Sequence, residues 1–291
     1  MEGENYVYIT NGKVQLGVDI AHGGSIFHFS TASEKVNRLN HADEGRFIQQ
    51  SYYGRDGKQY FWSDDPWGWN PIQGGGSDGT PSKIKSVEKT ESSIKVVSVP
   101  KQWGRSSAGG PCALAEDCEM TQTITLVDDY AVLEFTFRYD GDVDLGEASQ
   151  EVPAFFCDRD LAWYARYAGD RPWTGDSLTV IEPLPLDHIS NPNPASHQSE
   201  EWCAYIDESG YGIGLYTPGT DTAVYYTFGP RPSACGSDGD CSTSAFSGSC
   251  SYFAPIRTLH IVPGFTFSYK AYLTIGRIDD IRSLFRTLSG N

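Results

Sequence analysis

Apolar and polar residues alternate with a period of two in short runs from one end of the chain to the other. KVQLGVDI, GSIFHFS, RFIQQSY, SSIKVVSV, MTQTITLV, YAVLEFTFRY, YGIGLYT, TAVYYTF and FTFSYKAYLTIG are all of this kind, rich in β-branched and aromatic residues. In YAVLEFTFRY, Ala131, Leu133, Phe135 and Phe137 fall on one face and Val132, Glu134, Thr136 and Arg138 on the other, which predicts a half-buried strand. Gly, Asn, Asp and Pro punctuate the runs and no helical period separates them. The pattern therefore predicts an all-β fold, a large antiparallel β-sandwich, rather than βαβ units. Only RIDDIRSLFRTL breaks it: Ile278, Ile281, Leu284, Phe285 and Leu288 form one stripe behind Asp279 and Asp280, as in a short C-terminal helix. No internal repeat or Pro/Ser linker divides the chain, so residues 1–291 are expected to form a single domain.

Three long stretches lack the alternation: Asp56 to Pro81, Lys101 to Cys118 and Ile181 to Glu200. Long loops in a compact fold commonly carry function. The first belongs to GRFIQQSYYGRDGKQYFWSDDPWGWNPIQGGG, which gathers three tryptophans, four glutamines and an asparagine among its tyrosines. Alternation along RFIQQSYY groups Gln49 with Phe47 and Tyr53, and Gln50 with Ile48 and Tyr52, so one face points inward and the other to a cleft. Flat rings stack on sugar C–H faces, and amides grip hydroxyls. Trp67, Trp69 and Asn70 are accordingly expected at the rim of a sugar site, with Trp62 and Gln73 nearby and Gln49, Gln50 and Tyr53 lining it.

Charge narrows the partner. Lys and Arg number 22 against 38 Asp and Glu, a formal charge of −16, which opposes contact with nucleic-acid phosphates or anionic lipid. No apolar run approaches the length of a membrane span. A neutral polysaccharide or oligosaccharide fits this balance, whereas nucleic acid and membrane do not. Oligomeric state has no signal in the sequence. Of seven cysteines, Cys112 and Cys118 flank a short loop, and Cys235, Cys241 and Cys250 crowd a Gly/Ser-rich one. Such placement suggests surface disulfides and an oxidising compartment, hence a secreted protein whose signal peptide is absent from this sequence. Cys157 and Cys203 are expected in strands. The spacings are not those of a zinc ribbon, and no metal site is expected.

NGKVQLGVDIAHGGSIFHFSTASEKVNRLNHADEGRFIQQSYYG resembles the opening of the galactose-mutarotase-like β-supersandwich proteins: strand, Gly-Gly turn, strand, Asn-containing turn, and a strand introduced by Gly-Arg. VPGFTFSYKAYLTIGRIDDIRSLFRTL is similar to their closing strand and terminal helix. QEVPAFFCDRDLAWYARYAGDRPWTGD and SEEWCAYIDESGYGIGLYTPG resemble parts of secreted bacterial-type proteins of that fold, taken to be carbohydrate-active. The resemblance implies a supersandwich acting on sugars. Mutarotases use a histidine acid and a glutamate base, and no histidine of this chain aligns with theirs; sugar epimerisation is therefore the least favoured activity.

Cleavage of a glycosidic bond needs two carboxyls, one of them protonated, and apolar surroundings raise a carboxyl pKa. Glu151, before the apolar run VPAFF, and Glu201, beside Trp202, are the expected catalytic pair; Asp158 and Asp160, bracketing Arg159, rank third, a solvated ion cluster being the commoner role for such a group. Arg46 could clamp a substrate carboxylate or a catalytic glutamate, with an ordinary salt bridge as the equal alternative. An alternative is a polysaccharide lyase, with Arg46 and Gln50 neutralising a uronate and Tyr53 or His188 moving the proton. A second is a glycan-binding protein without catalysis. His28 reads as structural, His22 precedes the Gly-Gly turn, and His197 flanks the Pro/Asn loop with His188. Asp238 and Asp240 supply too few oxygens for calcium. GGPCALAE and IQGGG lack the strand–loop–helix context of a phosphate cradle, and no nucleophile elbow occurs; no cofactor is expected.

Overall fold

The structure, a computed structural model, describes residues 5–43, 45–55, 60–61, 68–106, 110–183, 195–229, 231 and 248–291. Two nine-stranded antiparallel sheets and a three-stranded sheet (Tyr6–Thr10, Val14–Asp19 and Ser25–Thr31) account for nearly all of the regular secondary structure among these residues. One large sheet runs Lys83–Lys89, Ser93–Val99, Cys118–Val127, Tyr130–Tyr139, Thr266–Arg277, Tyr211–Tyr216, Trp202–Ile206, Trp163–Arg166 and Thr179–Ile181. In the other, Gln49–Ser51, Glu147–Cys157, Cys250–His260 and Thr222–Phe228 lie side by side. Pro71–Ile72 and Lys101–Ser106 extend it on one flank, and Ala195–His197 on the other.

Alternation decides which side chains fill the sandwich. Ala131, Leu133 and Phe135 join Ile124, Leu273 and Leu215 in the main core, together with Phe155, Cys157 and Phe253 from the facing sheet. The strand Trp202–Ile206 is buried along its whole length because both of its faces are covered. Cys203 and Tyr205 point into the sandwich, whereas Trp202, Ala204 and Ile206 meet the C-terminal helix. That helix, Ile278–Ser289, has Asp279 and Asp280 in its first turn, where carboxylates favour the helix dipole, and ends at Gly290 in the left-handed conformation. Ile281 and Phe285 are fully buried against the sheet, each contributing about 1.5–3 kcal/mol by the area they remove from water. The sheet it covers is called here the helix-side sheet, and the other the cavity sheet.

Two expectations are corrected. The stretch Lys101 to Cys118 holds the strands Lys101–Ser106 and Cys112–Leu114. KQWGRS shows no apolar alternation because Gln102 is engaged by the Asn70 backbone N–H at 2.7 Å and Trp103 faces a cavity, so neither face reads as core. Cys112 and Cys118 are buried free thiols rather than partners in a surface disulfide, and Cys157, Cys203 and Cys250 are also free and buried. Cys235 and Cys241 lie outside the described residues, as do Asp238 and Asp240. Among the described residues no helix is long and apolar enough to cross a membrane.

Candidate functional site

The cavity sheet turns one face to the main core and the other to a cavity of about 140 Å³. On Gln49–Ser51 the period of two sends Gln49 and Ser51 to the cavity and Gln50 to the opposite side. Tyr53, next in phase, also lines it. Glu151 reaches the same space only because its strand is irregular. Strict alternation would group it with Phe155 and Cys157, which are core residues. However, Glu151 pairs with Ser51 and Ala154 with Gln49, three residues against two, so a β-bulge inserts one residue at Val152–Pro153. Proline has no N–H for the ladder, and a bulge is where a sheet interior tolerates it. The inserted residue reverses the phase, and Glu151, Ala154 and Phe156 share the cavity face.

Glu151 is the chemically distinctive group there. Burial, the dominant influence, raises its carboxyl above the ordinary 4.5, while Tyr252, Ser51, Tyr53 and the Arg46 charge pull it back. The Tyr252 hydroxyl donates to Oε1 of Glu151. Tyr252 packs between Phe156 and Tyr226, with ring centroids 4.6 and 4.5 Å away, and both of those rings line the cavity. Burial also raises Tyr53, Tyr226 and Tyr252, and the Glu151 charge adds to this, so all three phenols stay protonated at neutral pH.

Arg46 closes one side. Its Nε is 2.8 Å from Asp43 Oδ2, and its guanidinium lies 4.7 Å from the Trp103 ring and 5.6 Å from that of Phe156. Burial raises the Asp43 carboxyl and Arg46 opposes the rise. Asn70 supplies an amide: its Nδ2 donates to Tyr52 O at 2.7 Å, and its buried Oδ1 has no hydrogen-bond partner among the described residues. Beyond Arg46 and Trp103 lies a second cavity of about 270 Å³, walled by Gly45, the glycines Gly74 to Gly76 and Gly79, with His22, Asp43, Ser77 and Thr80. His22 Nδ1 is 2.7 Å from the buried Asp19 carboxylate.

Of the residues expected at the site, Glu151, Arg46, Gln49, Tyr53 and Asn70 converge on one cavity. Gln50 does not: it is fully buried on the other face, donating to Thr121 O and accepting from Tyr52. Gln73 is likewise internal, accepting from the Gln50 N–H and donating to Gly23 O. Trp69 is a core residue, 5% exposed and edge-on to Phe137 and Tyr139, because the short pairing of Gly54 with Trp69 turns it under the sheet. Trp62, Trp67 and His188 lie outside the described residues.

Glu201 stands apart from Glu151. It leads into a strand of the helix-side sheet, has a left-handed backbone (φ 58°), and accepts the Gly219 N–H at 2.9 Å. Its neighbour Glu200 is the buried carboxylate, gripped by Arg282 at 2.6 and 3.0 Å, by the Trp202 indole at 2.9 Å and by the Trp173 N–H at 2.7 Å. That arrangement ties the C-terminal helix to its sheet and leaves Glu200 no free oxygen for chemistry. Among the described residues no cluster of three or more His, Cys, Asp or Glu side chains could hold a metal ion.

Trp103, Phe156, Tyr226 and Tyr252 line the cavity and were not singled out from the sequence. TAVYYTF and SYFAPIRTLH carry aromatics on both faces, so period two alone does not say which ring meets the cavity.

No protein-family model matches the chain, and no curated protein matches it by sequence. Solved structures do match. A candidate aldose 1-epimerase from Escherichia coli K12 is 13% identical, over 94% of this chain and 99% of that one, with a TM-score of 0.54. A galactose mutarotase-like protein from Lactobacillus casei ATCC 334 is 10% identical, over 93% and 99%, with a TM-score of 0.51. The 4-alpha-glucanotransferase of Thermococcus litoralis is 9% identical over 92% of this chain but only 37% of its own, with a TM-score of 0.51. The fold is thus the galactose-mutarotase-like β-sandwich that the two terminal segments resemble.

Proposed function

We propose that this mutarotase-like sandwich is a carbohydrate-active enzyme that holds a saccharide in the Glu151 cavity and cleaves a glycosidic bond, with Glu151 as the proton donor. The observation that carries this reading is a carboxyl raised by burial, set in a cavity of rings and amides. A raised carboxyl keeps its proton at higher pH than a free one and can hand it to a departing sugar oxygen. Phe156, Tyr226 and Trp103 offer apolar faces for ring C–H groups, and the Gln49 and Asn70 amides offer hydroxyl partners. Hydrolysis needs a second carboxyl. With Glu201 in the other sheet, Asp43, across Arg46, takes that part in the proposal.

Elimination on a uronate through Tyr53 would need a deprotonated phenol as base, and burial and the Glu151 charge push Tyr53 and Tyr252 the wrong way, which disfavours a tyrosine-based lyase. The His188 form of that alternative falls outside the described residues. Export from the cytosol, proposed with the enzyme, now rests on Cys235 and Cys241, since Cys112 and Cys118 are buried thiols.

The test is a panel of polysaccharides and oligosaccharides, read by new reducing ends and by ultraviolet absorbance of unsaturated products. Reducing ends without absorbance support hydrolysis. Absorbance would replace it with elimination, and binding without either product would leave a glycan-binding protein.

A further inference from the structure

The second cavity is not explained by the proton donor. It adjoins the Glu151 cavity through two shared residues, Arg46 and Trp103, and the two are called here the glycine lobe and the acid lobe. Neither lobe alone, at about 270 and 140 Å³, reaches the ~300–1,000 Å³ of most small-molecule sites, and together they do.

The wall of the glycine lobe is backbone. At Gly74 a Cβ would lie 2.1 Å from Gln49 Oε1 and 2.6 Å from Gly45 O, so glycine is required there by the amide that packs behind it. The glycines contribute no side chains, so an occupant would meet peptide groups and the Ser77 hydroxyl beside the His22, Asp43, Arg46 and Trp103 side chains, the Thr80 hydroxyl being engaged by Asp78 and Lys101. Among the described lining residues each ionisable side chain has a partner: Arg46 lies 2.8 Å from Asp43, and His22 lies 2.7 Å from Asp19. Such a lining suits a polar, uncharged molecule rich in hydroxyls. Trp103, partly exposed at the junction, provides an aromatic wall common to both lobes.

We infer that the substrate is a neutral saccharide of at least two units, with one unit in the acid lobe and its neighbour in the glycine lobe, so that the linkage between them crosses Trp103 and Arg46. This rests on the reading of the acid lobe as the cleavage site, and it adds the length and charge class of the substrate. Binding energy from the second unit would then be available to orient the first against Glu151.

The test compares kcat/KM for one-, two- and three-unit glycosides of gluco, manno, galacto and xylo configuration in wild type, Ser77→Tyr and Gly79→Asn. Ser77 is exposed and lines only the glycine lobe, so tyrosine there would fill it. Gly79 has φ +75° and open space within 4 Å of where a Cβ would stand, and asparagine accepts that backbone conformation. The expected result is a two-unit preference of about tenfold or more in wild type, the effect of roughly 1.4 kcal/mol from an added subsite, reduced at least tenfold in either variant. A preference that neither variant changes would overturn the inference while leaving the cleavage reading intact. Calorimetry with the same one- and two-unit sugars reads the subsite without turnover: two-unit ligands binding no tighter than one-unit ligands would also overturn it. If no saccharide is turned over but two-unit ligands bind tighter and lose that advantage in Ser77→Tyr, the cleavage reading fails and the two-lobed site stands.

Discussion

Tyr252 donates its hydroxyl hydrogen to Oε1 of Glu151 from the neighbouring strand, and this contact sets the balance of the site. A donor to a carboxylate favours its charged form, whereas burial favours the neutral one. Burial prevails at Glu151. Tyr252→Phe removes the opposing influence and raises the carboxyl further. Because the acid must be protonated to act, the alkaline limb of the pH–rate profile is expected to move to higher pH, with kcat changed by about tenfold or less. An alkaline limb that stays in place or moves to lower pH would contradict the role of this contact.

Trp69 and Trp103 should behave oppositely. Trp69→Ala empties a core position and is expected to cost about 3–5 kcal/mol in denaturant unfolding. Trp103→Ala should leave stability within about 1 kcal/mol and raise KM severalfold or more, through loss of a stacking surface. Equal stability losses with no change in KM would place neither ring at the site.

Adjacent glutamates give a second contrast. Glu200 is fully buried and bound to Arg282, so Glu200→Gln leaves the guanidinium unpaired and should destabilise by about 3–5 kcal/mol, seen as a lower denaturant midpoint. Glu201→Gln should cost about 1 kcal/mol or less and leave turnover unchanged. Loss of turnover in folded Glu201→Gln would restore that residue to the catalytic pair.

Thiol chemistry tests the cysteine assignment. Cys112, Cys118, Cys157, Cys203 and Cys250 are buried and unbridged, and should resist alkylation in the native protein and all react once it is unfolded without reductant. A cross-linked peptide joining Cys112 to Cys118 would contradict the structure.

The strands were legible where one face is core and the other is solvent, as in Tyr130–Tyr139, and so was the terminal helix, whose stripe buries Ile281 and Phe285. Part of the site was legible on the same principle, since the alternation of Gln49 and Gln50 does divide cavity from interior. It did not say which amide went where. Glu151 stood out as a carboxyl beside an apolar run, but alternation alone assigns it to the core, and only the bulge at Val152–Pro153 brings it to the cavity. Glu201 looked equivalent to Glu151 because local sequence does not reveal which sheet a strand joins. Trp69, expected at the rim, lies in the core, and Trp103, of which nothing was expected, meets the cavity, for a related reason: a tryptophan among glycines and polar residues can turn under a sheet or over it, and only the long-range pairing decides.

Glu151→Gln tests the central claim most directly. The amide keeps the shape and the Tyr252 contact but has no proton to give, so folded Glu151→Gln is expected to bind the saccharide that wild type cleaves and to turn it over about 10²–10⁴-fold more slowly. Turnover at the wild-type rate in that variant would contradict it.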